Sequence, residues 1–367
     1  MPTKTLCLLL AFAVAAQAPA HAQTCTFDAA HTRFADFMKT TSLSGGALLI
    51  GTSQGIISET YLGSFTAATV VPIASATKLA SALRMLQVIE RGQADPDAPV
   101  ATYLPAFSGE KGTMSLRQMF SHTAGYGNDS GADVLLDDGL TLAEAVDQIA
   151  CCRPLNTGYT VGGQFSYGGI SMHIAGRVVE VVGGGDWEQR WQSEIGAPLG
   201  ITTIDWQGLG PTTNYGIGGS ARSNLRDYGR LLQMVANGGR GNNQRILRAS
   251  TIERLHADNV LDLPIAYAPA NANPPVRYSL GAWLDTVPGE ALPSFLHSLG
   301  AFGFFPWFDR ERGLFGVFMI RSFPGINFTA LPTYLAMISD MRAEFAANTC
   351  VPIEPSDEIF ASEFEPY

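Results

Sequence analysis

Charge is scarce in this chain. Only 15% of its 367 residues are Asp, Glu, Lys or Arg, against roughly 25% in an ordinary soluble domain. Lysine is scarcer still: Lys4, Lys39, Lys78 and Lys111 are the only four among 23 basic residues. No basic run occurs and the formal net charge is −10. The chain therefore lacks the electrostatic footprint of a nucleic-acid binder and has no attraction to anionic membrane surfaces. Beyond the first two dozen residues no apolar run approaches the roughly 20 residues that span a bilayer. A Cys-x-x-Cys pair is absent, so no structural zinc site is expected. With 46% hydrophobic residues, disorder is excluded and a large core is affordable.

The N-terminus has its own pattern. Lys4 precedes the apolar run Leu6 to Ala16, and Ala20-His21-Ala22 supplies small residues at cleavage spacing. This reads as a secretory signal peptide over residues 1–22, cut after Ala22, with a periplasmic or secreted product. Four cysteines then remain, Cys25, Cys151, Cys152 and Cys350, and four allow three pairings. Cys25 and Cys350 lie near the two ends of the mature fold, and chain termini often lie close together. A 25–350 bridge is the expectation, which leaves Cys151–Cys152 as a vicinal pair.

Periodicity places helices at 26–40, 77–91, 115–121, 141–149, 169–182, 186–194, 225–236, 249–256 and 329–346. Strand character lies at 46–50 and 56–62, joined as a hairpin by Thr52-Ser53-Gln54-Gly55, and again at 278–285, 301–308 and 314–321. Strands thus sit at both ends and helices between them. The simplest assembly is an α/β or α+β layered protein. Its sheet is built from both chain ends, and one cleft lies between sheet and helical region.

The strongest chemical signal is Ser75-Ala76-Thr77-Lys78. Ser75 stands where an apolar loop enters a helix, and residues at i and i+3 share a helix face. A serine hydroxyl needs a base to become a nucleophile. A lysine on an apolar helix can serve as that base, whereas arginine cannot. The spacing alone is cheap, because Ser108-Gly109-Glu110-Lys111 repeats it in a polar loop. Gly51-Thr52-Ser53-Gln54-Gly55 matches a nucleophile elbow, but a strand rather than a helix follows it, so it is read as a hairpin turn. Tyr167, at the loop-to-helix junction Phe165-Ser166-Tyr167-Gly168-Gly169, can present its hydroxyl to a cleft. His297-Ser298-Leu299-Gly300-Ala301 opens a glycine-containing hairpin whose backbone N–H groups can face a substrate carbonyl.

Together these segments resemble the serine β-lactamase-related family, which includes class C β-lactamases, D-alanyl-D-alanine carboxypeptidases and family VIII carboxylesterases. The resemblance covers about residues 26–347. It rests on Ser75-x-x-Lys78, Phe120-Ser121-His122-Thr123-Ala124-Gly125, Tyr167-Gly168-Gly169, Gly218-Gly219-Ser220-Ala221-Arg222-Ser223 and Trp307-Phe308-Asp309. It implies an antiparallel sheet flanked by terminal helices, with an inserted helical region. The sheet region would span about 23–75 and 276–350 and the helical region about 76–275, followed by an acidic tail at 351–367. It implies catalysis by Ser75, Lys78 and Tyr167 and an oxyanion hole of the Ser75 and Ala301 backbone N–H groups. Substrate contacts fall to His297, Ser298, Gly300 and Tyr126. No metal or organic cofactor is implied, and the partner is a small acyl substrate.

Two departures shape the expected substrate. The resembled β-lactamases carry Asn where Gly169 stands, and a lysine in their third motif, whereas here no lysine follows Lys111. Phe302, Phe304, Phe305 and Trp307 are expected to make the rim of the site apolar instead. A neutral ester suits these changes better than a penicillin or cephalosporin. The competing activities are a peptidase or amidase for D-amino-acid substrates, a true β-lactamase, and a non-catalytic penicillin-binding protein. The sequence leaves the natural substrate and oligomeric state open.

Overall fold

A computed structural model describes residues 25–353 except 130–132, 271, 273 and 349. The expected leader lies outside the described residues, as does the tail beyond 353. The centre is a six-stranded antiparallel sheet of β1 (Gly45–Thr52), β2 (Gly55–Gly63), β3 (Trp283–Asp285), β4 (Phe295–His297), β5 (Phe305–Asp309) and β6 (Leu314–Ile320). The spatial order is β2-β1-β6-β5-β4-β3, so the two chain ends meet where β1 pairs with β6 along Gly46–Thr52 and Leu314–Ile320.

The period of two along these strands divides the interior. Leu48 and Ile50 of β1, with Leu314, Phe318 and Ile320 of β6, join one apolar cluster. Ala47 and Leu49, with Phe315, Val317 and Met319, join the other. Alternate side chains point to opposite faces of a strand, so one hydrophobic run serves two cores. Each fully buried side chain of this size contributes roughly 1.5–3 kcal/mol.

The first face carries α1 (Asp28–Thr40) and the helix Ile326–Ala347. The rings of Phe305, Phe318 and Tyr334 stack there, with Phe318 and Tyr334 centroids 4.5 Å apart. Glu344 Oε1 accepts the N–H groups of Thr26 and Phe27, both at 2.8 Å. A disulfide joins Cys25 to Cys350 across a Cα separation of 5.1 Å, and Cys151 is bonded to Cys152. Both pairings agree with the expectation.

The second face carries the helical region, whose main members are α2 (Thr77–Glu90), α3 (Leu116–Phe120), α4 (Leu142–Cys152), α5 (Ile170–Gly183) and α6 (Leu225–Ala236). The α6 helix packs against β1 where Gly229 offers no side chain. A Cβ there would stand 2.8 Å from Leu49 Cδ1. The hairpin reading of 51–55 holds, since β1 and β2 pair through Thr52 and Gly55.

Two expected strands are shorter than the sequence pattern. Residues 278–285 are not one strand. Tyr278 bridges back to Trp283 around a bend, with Gly281 at φ +75° and a Cβ there 2.5 Å from the Lys78 carbonyl oxygen. The chain is turned by its contact with α2. Residues 301–304 likewise form a turn before β5, with Gly303 at φ +96°.

Candidate active site

Ser75 is held in a single turn, Ala74–Ala76, that leads directly into α2. Ala74 has φ +46°, a left-handed conformation that costs a non-glycine residue about 1 kcal/mol. The surrounding bonds fix the turn in place. Ile73 N–H donates to the Ala221 carbonyl at 2.9 Å, and Ala221 N–H donates to Thr77 Oγ1 at 3.0 Å. The Ser81 hydroxyl donates to the Ile217 carbonyl at 2.7 Å, and the Tyr228 hydroxyl to that of Ala76 at 2.6 Å. The glycine-rich segment 216–223 is thereby stitched along the first turns of α2.

Lys78 is buried, with only 4% of its surface exposed. Its Nζ lies 3.2 Å from Ser75 Oγ and donates to the Gly218 carbonyl at 2.5 Å. The helix face that the spacing predicted is therefore the face that meets the serine.

Tyr167 lies at the end of the short strand Phe165–Ser166, just before α5. Its N–H donates to the Tyr267 carbonyl at 3.0 Å and its own carbonyl accepts Asn128 N–H at 2.8 Å. Its ring stacks on Trp283 at 5.2 Å and packs against His122 at 4.6 Å. Lys78 Nζ stands 4.7 Å from the ring centroid, so amine, serine and phenol form one group.

His122 forms the floor under Tyr167. It is buried, with φ +59°, and Nε2 lies 3.2 Å from the Tyr278 hydroxyl. Burial, with the Lys78 charge nearby, holds its pKa well below the ordinary histidine value. A neutral ring places no positive charge beside Lys78.

Two cavities converge on Ser75. One of about 430 Å³ is lined by Tyr167, Trp283, His297, Ala301 and Phe328 among others. The other, about 340 Å³, runs past Lys78, Leu135, Leu136, His173 and Leu209. Ser75, Asp129 and Tyr167 line both. His173 is buried against Asn214, 2.7 Å away, and burial lowers its pKa to about 4.

The expected substrate contacts are placed unevenly. His297 lines the larger cavity, with Nε2 3.3 Å from Asp285 Oδ2. Ser298 is buried and its hydroxyl donates to the Ser75 carbonyl at 2.8 Å, so it braces the nucleophile turn. Gly300 permits a close backbone approach, since a Cβ there would be 2.1 Å from the Ile73 carbonyl oxygen. Ala301 lines the same cavity as Ser75, but the expected aromatic rim is not there: Phe304, Phe305 and Trp307 are buried in the two cores, and neither they nor Phe302 line either cavity. Tyr126 is a correction: it is 1% exposed, its hydroxyl donates to the Arg153 carbonyl at 3.1 Å, and it lines neither cavity. Its apolar neighbours and satisfied hydroxyl make it a core residue.

Sequence reasoning missed Asp129, Trp283, Tyr278 and the Gly218 carbonyl as parts of the site. Trp283 and Tyr278 reach it only because the chain bends at Gly281. Asp129 left one trace, an Asn-Asp pair after glycine, a residue type that tolerates left-handed φ. Asn128 and Asp129 adopt φ +56° and +47°.

The fold has recognisable relatives. A family model described as Beta-lactamase matches residues 30–337. The structure of a putative β-lactamase from Bacteroides dorei superposes with a TM-score of 0.72 at 28% identity, over 87% of this chain and 100% of that one. That of a family VIII carboxylesterase gives 0.69 at 19% identity, over 88% and 99%. Penicillin-binding protein 4 of Amycolatopsis lactamdurans is 28% identical over 163 residues, 43% of this chain and 39% of that protein. The chain thus aligns with only about two fifths of that curated relative's length. The extent of the family match, with the sheet and helices that carry it, shows that the chain belongs to the Beta-lactamase family of serine hydrolases.

Proposed function

We propose that this protein is an exported carboxylesterase that cleaves small, largely neutral acyl esters through an acyl-enzyme on Ser75. The observation that carries the reading is the buried Lys78 Nζ 3.2 Å from Ser75 Oγ, beside the Tyr167 ring and at the junction of two cavities. Ser75 Oγ attacks the ester carbonyl carbon while Lys78 takes its proton. Tyr167 relays that proton to the departing alkoxide, which leaves as the alcohol. The Ser75 and Ala301 backbone N–H groups hold the oxyanion. Water, deprotonated by the same pair, then attacks the acyl carbon; the bond to Ser75 Oγ breaks, the pair returns the proton to Ser75 Oγ, and the carboxylic acid leaves.

The substrate class follows from what surrounds the serine. Ser298 spends its hydroxyl on backbone carbonyls, and no lysine follows Lys111. Leu135, Leu136 and Leu209 make one wall of the smaller cavity apolar. The likeness to a family VIII carboxylesterase structure supports the same class. Export is supported by the leader pattern and by the two disulfides, which persist in oxidising compartments. Steady-state kinetics with p-nitrophenyl butyrate and nitrocefin test the reading. The ester should exceed the cephalosporin in kcat/KM by about a hundredfold or more. Comparable values would refute it.

A further inference from the structure

We propose that Asp129 is a specificity-determining residue that makes the site favour neutral and cationic acyl groups over those carrying a carboxylate. The proposal rests on the acyl-enzyme reading above. Asp129 is half-buried and lines both cavities together with Ser75 and Tyr167. Its two carboxylate oxygens each accept the Gly169 N–H at 2.7 Å, and Oδ1 also takes the Ile170 N–H at 3.4 Å. The carboxylate is thus fixed at the start of α5, immediately after Tyr167.

The glycines after the tyrosine are what admit it. A Cβ on Gly168 would stand 2.7 Å from Asp129 Oδ1, and one on Gly169 3.3 Å from Oδ2. Any side chain at position 168 would displace the carboxylate, so an acidic group lining both cavities fills space that a larger residue would close.

The surrounding charges do not cancel it. Among the described residues no Lys, Arg or His forms an ion pair with Asp129. The smaller cavity adds Asp133 to Lys78. In the larger cavity Arg277 is engaged by Asp258 at 2.9 Å, and Asp285 faces His297. A substrate carboxylate entering either cavity would approach a fixed like charge in a partly desolvated cleft. At an effective dielectric near 20, such repulsion over several ångströms is worth at least about tenfold in rate. A trimethylammonium group would gain by the same interaction.

The test uses three p-nitrophenyl esters with the same three-methylene spacer, ending in trimethylammonium, tert-butyl or carboxylate. The wild-type protein should turn over the carboxylate ester about tenfold or more below the tert-butyl ester, with the gap narrowing as salt is raised. Asp129→Asn keeps an oxygen for the Gly169 N–H. It should raise the carboxylate-to-tert-butyl ratio about tenfold and lower the trimethylammonium-to-tert-butyl ratio. If all three esters fall together and the ratios stay fixed, Asp129 is only a cap for α5 and the proposal is overturned. Turnover without acylation of Ser75 would overturn the nucleophile assignment instead. In that event the three matching anilides, titrated calorimetrically into Ser75→Ala protein, decide the charge preference by binding. Equal affinities would overturn it, and weakest binding of the carboxylate would sustain it.

Discussion

Two Ser-x-x-Lys tetrapeptides occur in this chain, and the fold treats them in opposite ways. At 75–78 the lysine is buried on α2 and returns to the serine hydroxyl at 3.2 Å. At 108–111 the lysine turns away from its serine and donates to the carbonyls of Ile149, Ala150 and Arg153 at 3.3, 2.7 and 2.9 Å. There it serves the C-terminus of α4, where cations are favoured. Ser108 is exposed and precedes a loose helical turn, Gly109–Thr113. Identical spacing thus yields a candidate nucleophile pair in one place and a helix cap in the other. What differs is the neighbourhood: the 216–223 segment walls in Lys78, whereas Lys111 meets open carbonyls on a different helix.

The largest expected effect separates the two pairs outright. Ser75→Ala and Lys78→Met should each lower kcat/KM for p-nitrophenyl butyrate by at least about a thousandfold. Ser108→Ala and Lys111→Met should leave it within about twofold, because surface loops away from the cleft do not touch the reacting atoms. Activity assays on the four proteins check this, and loss in either 108–111 variant would erase the distinction.

Next in size is Tyr167→Phe. The ring and its stacking on Trp283 survive, but the hydroxyl that relays the proton is gone, so kcat should fall about a hundredfold or more with little change in Tm. A variant that keeps full kcat would reduce Tyr167 to a packing residue.

The converse test lies with Lys111. Lys111→Met should lower stability by about 1–2 kcal/mol through the lost carbonyl contacts, measurable as a shift in denaturation midpoint with unchanged kinetics. A silent change would mean that the cap contributes nothing and the second tetrapeptide is incidental.

The smallest effect is a pH dependence of stability. His122 and His173 are buried neutral, the latter with a pKa lowered to about 4 from 6.5. Between these values the unfolded chain binds more protons than the folded one, so stability should fall as pH drops from about 6.5 toward 4. His173→Gln should flatten part of that slope in thermal melts. A slope unchanged by the variant would assign it to other groups.

How much of this was legible beforehand varied with the range of the forces involved. The Ser75–Lys78 face, the 51–55 hairpin and the α6 helix at 225–236 are local matters of helical and strand period, and they read directly. The bend at Gly281 could not be read, because the strand-like composition of 278–285 is broken by the backbone of α2, some 200 residues away in sequence. Trp283 and Tyr278 entered the site for that reason. Asp129 was invisible because its partners, Gly169 and Ile170, are about 40 residues distant. Tyr126 failed in the other direction: the resemblance implied a substrate contact, and core packing took the side chain inside.

The central claim is that Ser75, and not its look-alike, carries the acyl group. Intact-mass and peptide mapping of the wild-type protein quenched during turnover of p-nitrophenyl butyrate test it most directly. The account predicts a single butyryl adduct on the peptide containing Ser75, absent from Ser75→Ala and present in Ser108→Ala. A butyryl group on any other residue, or steady hydrolysis with Ser75 replaced, would contradict it.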